Sequence, residues 1–399
     1  MVSHTEALEE RESSPKGHEN QTRRGGEPDI ASIAPDTDLP AARQTEIDEE
    51  RAATHDTRRA TVPALEELLY REIPVLDHGF IRIVDYFGDD GAVVQAARVS
   101  YGKGTRKVSN DRGLIRYLMR HRHTTPFEMC EIKVHVKLPI FVARQWIRHR
   151  TASVNEYSAR YSVLDHEFYV PDSDYLDTRR EERQKEYRHH KELDGRQHEL
   201  FGFDGKGETK TPESRPEHLA AQSRDNRQGR DETLSGSEAD EAVSKISSES
   251  NRAYTIYTNL LNETAAGGVI DPDKKGLARE LARMVLPVNY YTQWYWKIDL
   301  HNLLHFLSLR ADPHAQYEIR AYADVLCDIV QRWVPLVWEA FEDYQLTGTH
   351  ISGPGFEVLR EIVGDTVLQD QEKLAELQKR SGMSAREFRE LIETLRRRG

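Results

Sequence analysis

Cysteine is nearly absent from this chain, with Cys130 and Cys327 the only two among 399 residues. That scarcity excludes a disulfide scaffold and a cysteine-rich metal site, and it fits a reducing compartment. Long apolar runs are missing too. No stretch of about 18 apolar residues occurs and residues 1–30 carry no apolar run for secretion, so a soluble, cytoplasmic protein is expected. Positive charge is in deficit. Against 68 Asp and Glu there are 56 Lys and Arg, a net charge of -12, which disfavours a general nucleic-acid-binding surface while leaving room for a local basic pocket. A hydrophobic share of 37% beside 31% charged residues is low for a globular chain, so solvated segments must dilute a compact core.

The dilution has clear places. Residues 1–62 are rich in Glu, Asp, Arg, Ser, Thr and Pro without an apolar period and read as a disordered, acidic N-terminal extension. A second polar tract runs from about Asp172 to Glu249, its first part an exposed charged helix and its middle, within a polar insert at 176–215, a linker. Beyond Tyr344 a helical C-terminal extension, 346–399, contains Ser384-Ala385-Arg386-Glu387. This reads as a capping box before a helix with Phe388, Leu391 and Leu395 on one side, a packing element.

The core domain, 63–345, therefore rests on two blocks. In the first, Phe80–Val84 reads as a strand, and Ile132, Val134 and Val136 alternate with Lys133, His135 and Lys137 as a half-buried strand. Asp111–Arg120 is helical. Pro139 opens a helix over Ile140–His149, with Ile140, Ala143 and Ile147 on its packing face. The second block reads as almost all helical, at about 251–265, 275–285, 299–310 and 313–343. Short strands followed by long helices predict an α+β fold.

The most informative stretch is Arg148–Ser162. Arg148, His149 and Arg150 are adjacent, so they cannot share one helix face and must fan toward different groups. Behind them come Ser153, Asn155, Glu156, Ser158, Arg160 and Ser162, with few aliphatic side chains. Guanidinium forks suit phosphate, hydroxyls its remaining oxygens, and an amide and a carboxylate a heterocycle. The inventory predicts a pocket for a polyanionic small molecule.

Three other groups of residues have plain readings. His123-Thr124-Thr125-Pro126-Phe127-Glu128 reads as a capped proline turn with a surface histidine. Glu280 and Arg283 read as a solvated ion pair on one helix face. His301 and His305 have the i, i+4 spacing of zinc ligands, but the glutamate of HExxH and a third ligand are missing, so no metal is expected. Arg310 ends an apolar helix, where a guanidinium either compensates the helix C-terminus or reaches a buried anion.

The run Arg148–Arg160 carries arginine-histidine-arginine, seven residues, serine, one residue and arginine, and it resembles the signature of the flavin-dependent thymidylate synthase family. Flanking segments resemble that family in order: Ala96–Ser100, His123–Glu128, Pro139–Trp146, Gln222–Arg230, Arg283–Pro287, Leu309–Asp312 and His314–Gln316. The resemblance spans roughly 75–171 and 217–343 and omits both tails and the polar insert. It implies a small antiparallel sheet packed with long helices, assembled as a homotetramer with active sites at subunit interfaces. It further implies reductive methylation of dUMP to dTMP, with methylenetetrahydrofolate as carbon donor, FAD as cofactor and NADPH as electron source.

Carried over by position, the resemblance places Ser100, His123, Thr125, Glu128, Arg148, His149, Arg150, Glu156 and His314 at the flavin. Gln145, Arg148, Ser158, Arg160 and Arg283 would hold dUMP, the last two on its phosphate, and Arg310 would contact the uracil edge as the catalytic residue. Asp299 and His305 stand where some relatives carry asparagine near the flavin. His305 can still donate a hydrogen bond to the ring edge, and an ionised Asp299 cannot. Neither cysteine has an activating partner in sequence, so a cysteine nucleophile is not expected. The rival readings are a phosphate-gripping nucleic-acid-binding protein, with Trp146 and Tyr157 stacking bases, and a metal-dependent hydrolase built on His301, His305 and His314.

Overall fold

The computed structural model describes residues 41–54, 56–99, 111–158, 160, 163–171, 219–223, 230–234, 236–265 and 267–396. The polar insert expected at 176–215 lies outside them, as does Ser100. Disorder through residue 62 does not hold for its last part. Ala41–Ala52 forms a helix, α1, and its Ile47 is buried beside Tyr70, Arg82, Val84 and Tyr295 on one face of the sheet.

The sheet is antiparallel and has five strands: β1 (Glu72–Val75), β2 (Gly79–Phe87), β3 (Glu131–Pro139), β4 (Ser153–Glu156) and β7 (Tyr291–Asp299), in the order β1-β2-β3-β7-β4. A separate hairpin pairs β5 (Ala220–Gln222) with β6 (Arg230–Thr233). β7 corrects the helical reading of the second block. Its aromatic residues alternate as a strand requires: Trp294, Trp296 and Ile298 are buried, and Gln293, Tyr295 and Lys297 take the opposite face. It pairs with β3 along their full length, Glu131 opposite Asp299 and Pro139 opposite Tyr291.

Helices cover the buried face. After α2 (Pro63–Glu66) come α3 (Asp90–Val99), α4 (Asp111–Arg120) and α5 (Ile140–Trp146). α6 (Gly236–Leu261) is longer than expected and starts inside the polar tract. Its Tyr254, Tyr257 and Leu261 form a small second core with Leu164, Ala282 and Tyr290. The expected helix at 275–285 shrinks to α7 (Arg279–Ala282) and a 3-10 turn, Arg283–Val285. α8 (Leu300–Arg310), α9 (Tyr317–Trp333) and α10 (Pro335–Phe341) complete the main core, with Pro335 interrupting what reads in sequence as one helix. α5 stops at Trp146, three residues before the expected end, and buries Val142, Ala143 and Trp146, while Ile147 is 45% exposed.

Three helices follow, α11 (Gly353–Gln369), α12 (Gln371–Ser381) and α13 (Ala385–Arg396). The capping box is formed. Ser384 N–H donates to Glu387 Oε2 at 2.9 Å and Glu387 N–H donates to Ser384 Oγ at 3.3 Å. Ile392, rather than Leu391, faces the local core of Leu368 and Leu374, with Phe388 and Leu395 beside it.

Candidate active site

β3 runs directly into α5 and β7 directly into α8, because Pro139 and Asp299 both hold extended backbone at the helix N-caps. The two helices leave opposite ends of one strand pair and meet on its buried face. Trp146, fully buried at the end of α5, packs edge-on against Trp294 and Trp296 at 5.9 and 5.1 Å and lies 4.8 Å from Phe306 of α8. That aromatic junction anchors the following residues. Arg148 and His149 close a hydrogen-bonded turn, their N–H groups donating to Gln145 O and Trp146 O at 3.3 and 3.0 Å.

The turn delivers His149 to the C-terminal end of α8. Arg310 Nε donates to His149 Nε2 at 3.1 Å, and the His305 ring lies 6.0 Å from that of His149. Burial, then the Arg310 and His305 charges, lowers the His149 pKa to about 4, so at neutral pH its ring is uncharged and can accept. Burial likewise lowers the Arg310 pKa. Among the described residues no carboxylate pairs with Arg148, Arg150, Arg283 or Arg310. Some arginines elsewhere are neutralised, as Arg98 by Asp111 at 2.6 Å and Arg279 by Glu263 at 2.6 Å. Guanidinium groups without a carboxylate partner are suited to receive an anion.

The remaining candidates lie at several separate places. The His123–Glu128 turn packs against α8 and exposes His123 and Thr125. Glu156, on edge strand β4, accepts from Thr292 Oγ1 at 2.8 Å. Ser158 Oγ accepts from Arg160 N–H at 3.4 Å, which ties together the end of the signature. Arg283 is exposed on the turn after α7, where its Nε donates to Glu280 O at 3.3 Å rather than to that residue's carboxylate. Among the described residues it does not contact His149, Arg310 or Gln145. His314 is exposed and bonds Asp312 at 2.9 Å.

Asp299 has a structural role. Its Oδ1 accepts from Asn302 N–H at 2.9 Å and its Oδ2 from Asn302 Nδ2 at 2.6 Å, and Asn302 Oδ1 in turn accepts from Thr151 Oγ1 at 2.8 Å. The carboxylate thus caps α8 and links it to the segment after Arg150. Sequence reasoning also missed Glu318 and Gln316. Gln145 Nε2 donates to Gln316 Oε1, and Gln316 Nε2 donates to Glu318 Oε2 at 2.8 Å. A glutamate beside Tyr317 and Ile319 in the apolar first turn of α9 was the available signal.

Other chemistries find little support here. Burial, reinforced by Asp89 and Asp90, pushes the Cys130 thiol up to about 12, and burial also raises Cys327, so neither thiol is activated. Among the described residues no group of three or more metal-ligating side chains forms. A cavity of about 1030 Å³ lies between α1, β2 and α3, lined by residues such as Arg98, Asp111 and Lys133, and no candidate site residue lines it. Four of its charges are matched, Arg98 with Asp111 and Lys133 with Asp85.

At the junction of two strand-helix units on an α+β fold, Arg310 meets His149, which Arg148 and Arg150 flank in sequence, and these donor types suit an anionic small molecule. Residues 82–336 match the family described as Thymidylate synthase complementing protein. The flavin-dependent thymidylate synthase of Rickettsia bellii is 50% identical over 342 residues, covering 85% of this chain and 99% of that protein. That of Ruegeria pomeroyi is 49% identical over 360 residues, covering 90% and 99%. Among solved structures, a UMP/dUMP methylase from Streptomyces cacaoi bound with 5-Br dUMP is similar at a TM-score of 0.50 and 28% identity, covering 68% of this chain and 97% of that one. This chain belongs to the flavin-dependent thymidylate synthase family.

Proposed function

We infer that the protein is a flavin-dependent thymidylate synthase that methylates dUMP to dTMP. The observation that carries this reading at the site is Arg310, half-buried, without a carboxylate and held by a neutral histidine. Turning uracil C5 into a nucleophile places negative charge on the pyrimidine carbonyl system. A pre-positioned guanidinium stabilises that charge as it develops. One Arg310 N–H is taken by His149, and the others remain for the uracil edge. Because His149 is uncharged, it orients Arg310 without cancelling its field. No thiol nucleophile takes part.

The donor set also fits a dinucleotide cofactor. Arg148, His149 and Arg150, with His123, Thr125, Glu128, Glu156, His305 and His314, would hold FAD, the guanidinium groups meeting its phosphates. When bound, the flavin supplies the hydride that completes the methyl group, with methylenetetrahydrofolate giving the carbon and NADPH the electrons. Gln145, Ser158, Arg160 and Arg283 bind dUMP, the two arginines at its phosphate. The exposed apolar side chains around Arg283, including Leu281, Met284 (73% exposed) and Val288 (57%), favour burial in a homotetramer. A cytoplasmic location belongs to the same reading, and among the described residues no helix is long and apolar enough to cross a membrane.

The test is the absorbance spectrum of the purified protein. It should be yellow, and its reduced flavin should reoxidise when dUMP and methylenetetrahydrofolate are added together. A protein that binds no flavin even after FAD is supplied overturns this function.

A further inference from the structure

We propose that Glu318 is a positioning residue which, through Gln316, sets the direction in which Gln145 presents its amide to the nucleotide. The proposal rests on the synthase reading, and on Gln145 binding dUMP within it.

Glu318 is a carboxylate in the interior, 3% exposed in the first turn of α9. Burying such a charge is costly unless every lone pair is satisfied. Here three groups converge on it. Arg230 Nη2 from β6 lies 2.8 and 2.6 Å from its two oxygens, Tyr169 OH donates to Oε1 at 3.2 Å, and Gln316 Nε2 donates to Oε2 at 2.8 Å. Burial, then the Glu318 charge, raises the Tyr169 pKa well above its ordinary value, so the phenol keeps its proton and remains a donor.

A carboxylate held by a guanidinium only accepts, and this fixes the rest of the chain of bonds. Gln316 must turn its N–H toward Glu318, which leaves its carbonyl oxygen facing Gln145. Gln145 must then give an N–H to Gln316. Reversing either amide would set a carbonyl oxygen against a carboxylate oxygen or against another carbonyl. Gln316 is free for this task because, although it stands at the N-cap of α9, its side chain makes no capping bond. Gln145 is left with one N–H and its carbonyl oxygen, in a fixed order, for a ligand. Its backbone is equally constrained, one residue before the buried Trp146. Three elements that are distant in sequence, α5, β6 and α9, thereby agree on the polarity of one side chain in the site.

A residue that merely supports the fold would affect dUMP binding independently of Gln145. A residue acting through Gln145 would not. The experiment measures dUMP dissociation constants, by perturbation of the flavin spectrum, for FAD-loaded Glu318→Gln, Gln316→Leu, Gln145→Leu and the doubles that combine each of the first two with Gln145→Leu. FAD content and melting temperature are recorded for each. In Glu318→Gln the new amide could donate as well as accept, so the forced order is lost while the shape is kept. Gln316→Leu cuts the relay and leaves Arg230 and Tyr169 on the buried carboxylate. Each single variant should weaken dUMP about tenfold with FAD retained, and the doubles should be no weaker than Gln145→Leu alone. Glu318→Asp should recover part of the loss. Additive losses in the doubles, or wild-type dUMP affinity in both Glu318→Gln and Gln316→Leu, overturn the proposal. Wild-type affinity in Gln145→Leu also overturns it, and because FAD is still bound that result leaves the synthase reading standing.

Discussion

Arg310 Nε donates a hydrogen bond to His149 Nε2 at 3.1 Å, joining the end of α8 to the middle of the Arg148–Arg150 triplet. The two residues are far apart in the chain, and the bond holds because the histidine is neutral. Arg310→Ala should therefore retain flavin but lose about a hundredfold to a thousandfold in dTMP formation, the range for removing a key donor to developing charge. Flavin absorbance and single-turnover product analysis test this together. Full activity in the variant would remove Arg310 from the mechanism.

His149 also gives a pH signature. Its folded-state pKa is depressed from 6.5 to about 4, first by burial and then by the charges of Arg310 and His305. The folded state therefore binds this proton less well than the unfolded chain does. The stability it contributes is present above pH 6.5 and is lost as pH falls toward 4. His149→Asn keeps a short polar side chain and does not titrate. The melting temperature of the wild type should fall relative to this variant between pH 7 and pH 4, and parallel curves would contradict the assignment.

Asp299 caps α8 through two hydrogen bonds to Asn302, at 2.9 and 2.6 Å. Asp299→Ala should cost about 1 kcal/mol in denaturant unfolding, whereas Asp299→Asn, which still offers an acceptor, should cost far less. A loss of FAD binding at unchanged stability in either variant would instead indicate direct contact with the cofactor.

Glu387 fastens the C-terminal extension to the core. It accepts from Arg116 Nε and Arg120 Nη1, both at 3.0 Å, and from Tyr344 OH. Burial alone would raise its pKa, but the bonds from Tyr344, the Ser384 N–H and Arg116 prevail and hold it at about 2. Its stabilisation is thus present above its ordinary pKa of 4.5 and lost as pH falls toward 2. In Glu387→Ala, Arg116 keeps Glu339 and Asp343 and Arg120 keeps Glu390, so the loss of the charged hydrogen bonds should cost about 2 kcal/mol, read by chemical denaturation. An unchanged midpoint would mean that the extension is not fastened here.

Much of this protein was legible in its sequence because the signals were local. The alternation of Ile132, Val134 and Val136, the span Asp111–Arg120 and the Ser384–Glu387 capping box each depend on spacing within one element, and the Arg148–Arg160 signature on spacing along one short stretch of chain. β7 was harder to see. Its alternation is carried by Trp294 and Trp296 with Tyr295 between them, so three consecutive aromatics hide the period of two until the opposite face is known. α5 looked three residues longer than it is, because Pro139 marks where a helix begins and nothing as local marks its end after Trp146.

By itself the sequence determined the α+β class and the anion-binding residue types through short-range spacing, and the family through the signature that it resembles. Only the tertiary structure decided which partners those residues have. A pKa near 4 for His149, the link from Asn302 to Thr151 and the relay from Glu318 to Gln145 each join segments distant in the chain or depend on burial that no spacing encodes. Desolvation and hydrogen-bond pairing are properties of the packed interior, and packing is where the chemistry of this site is set.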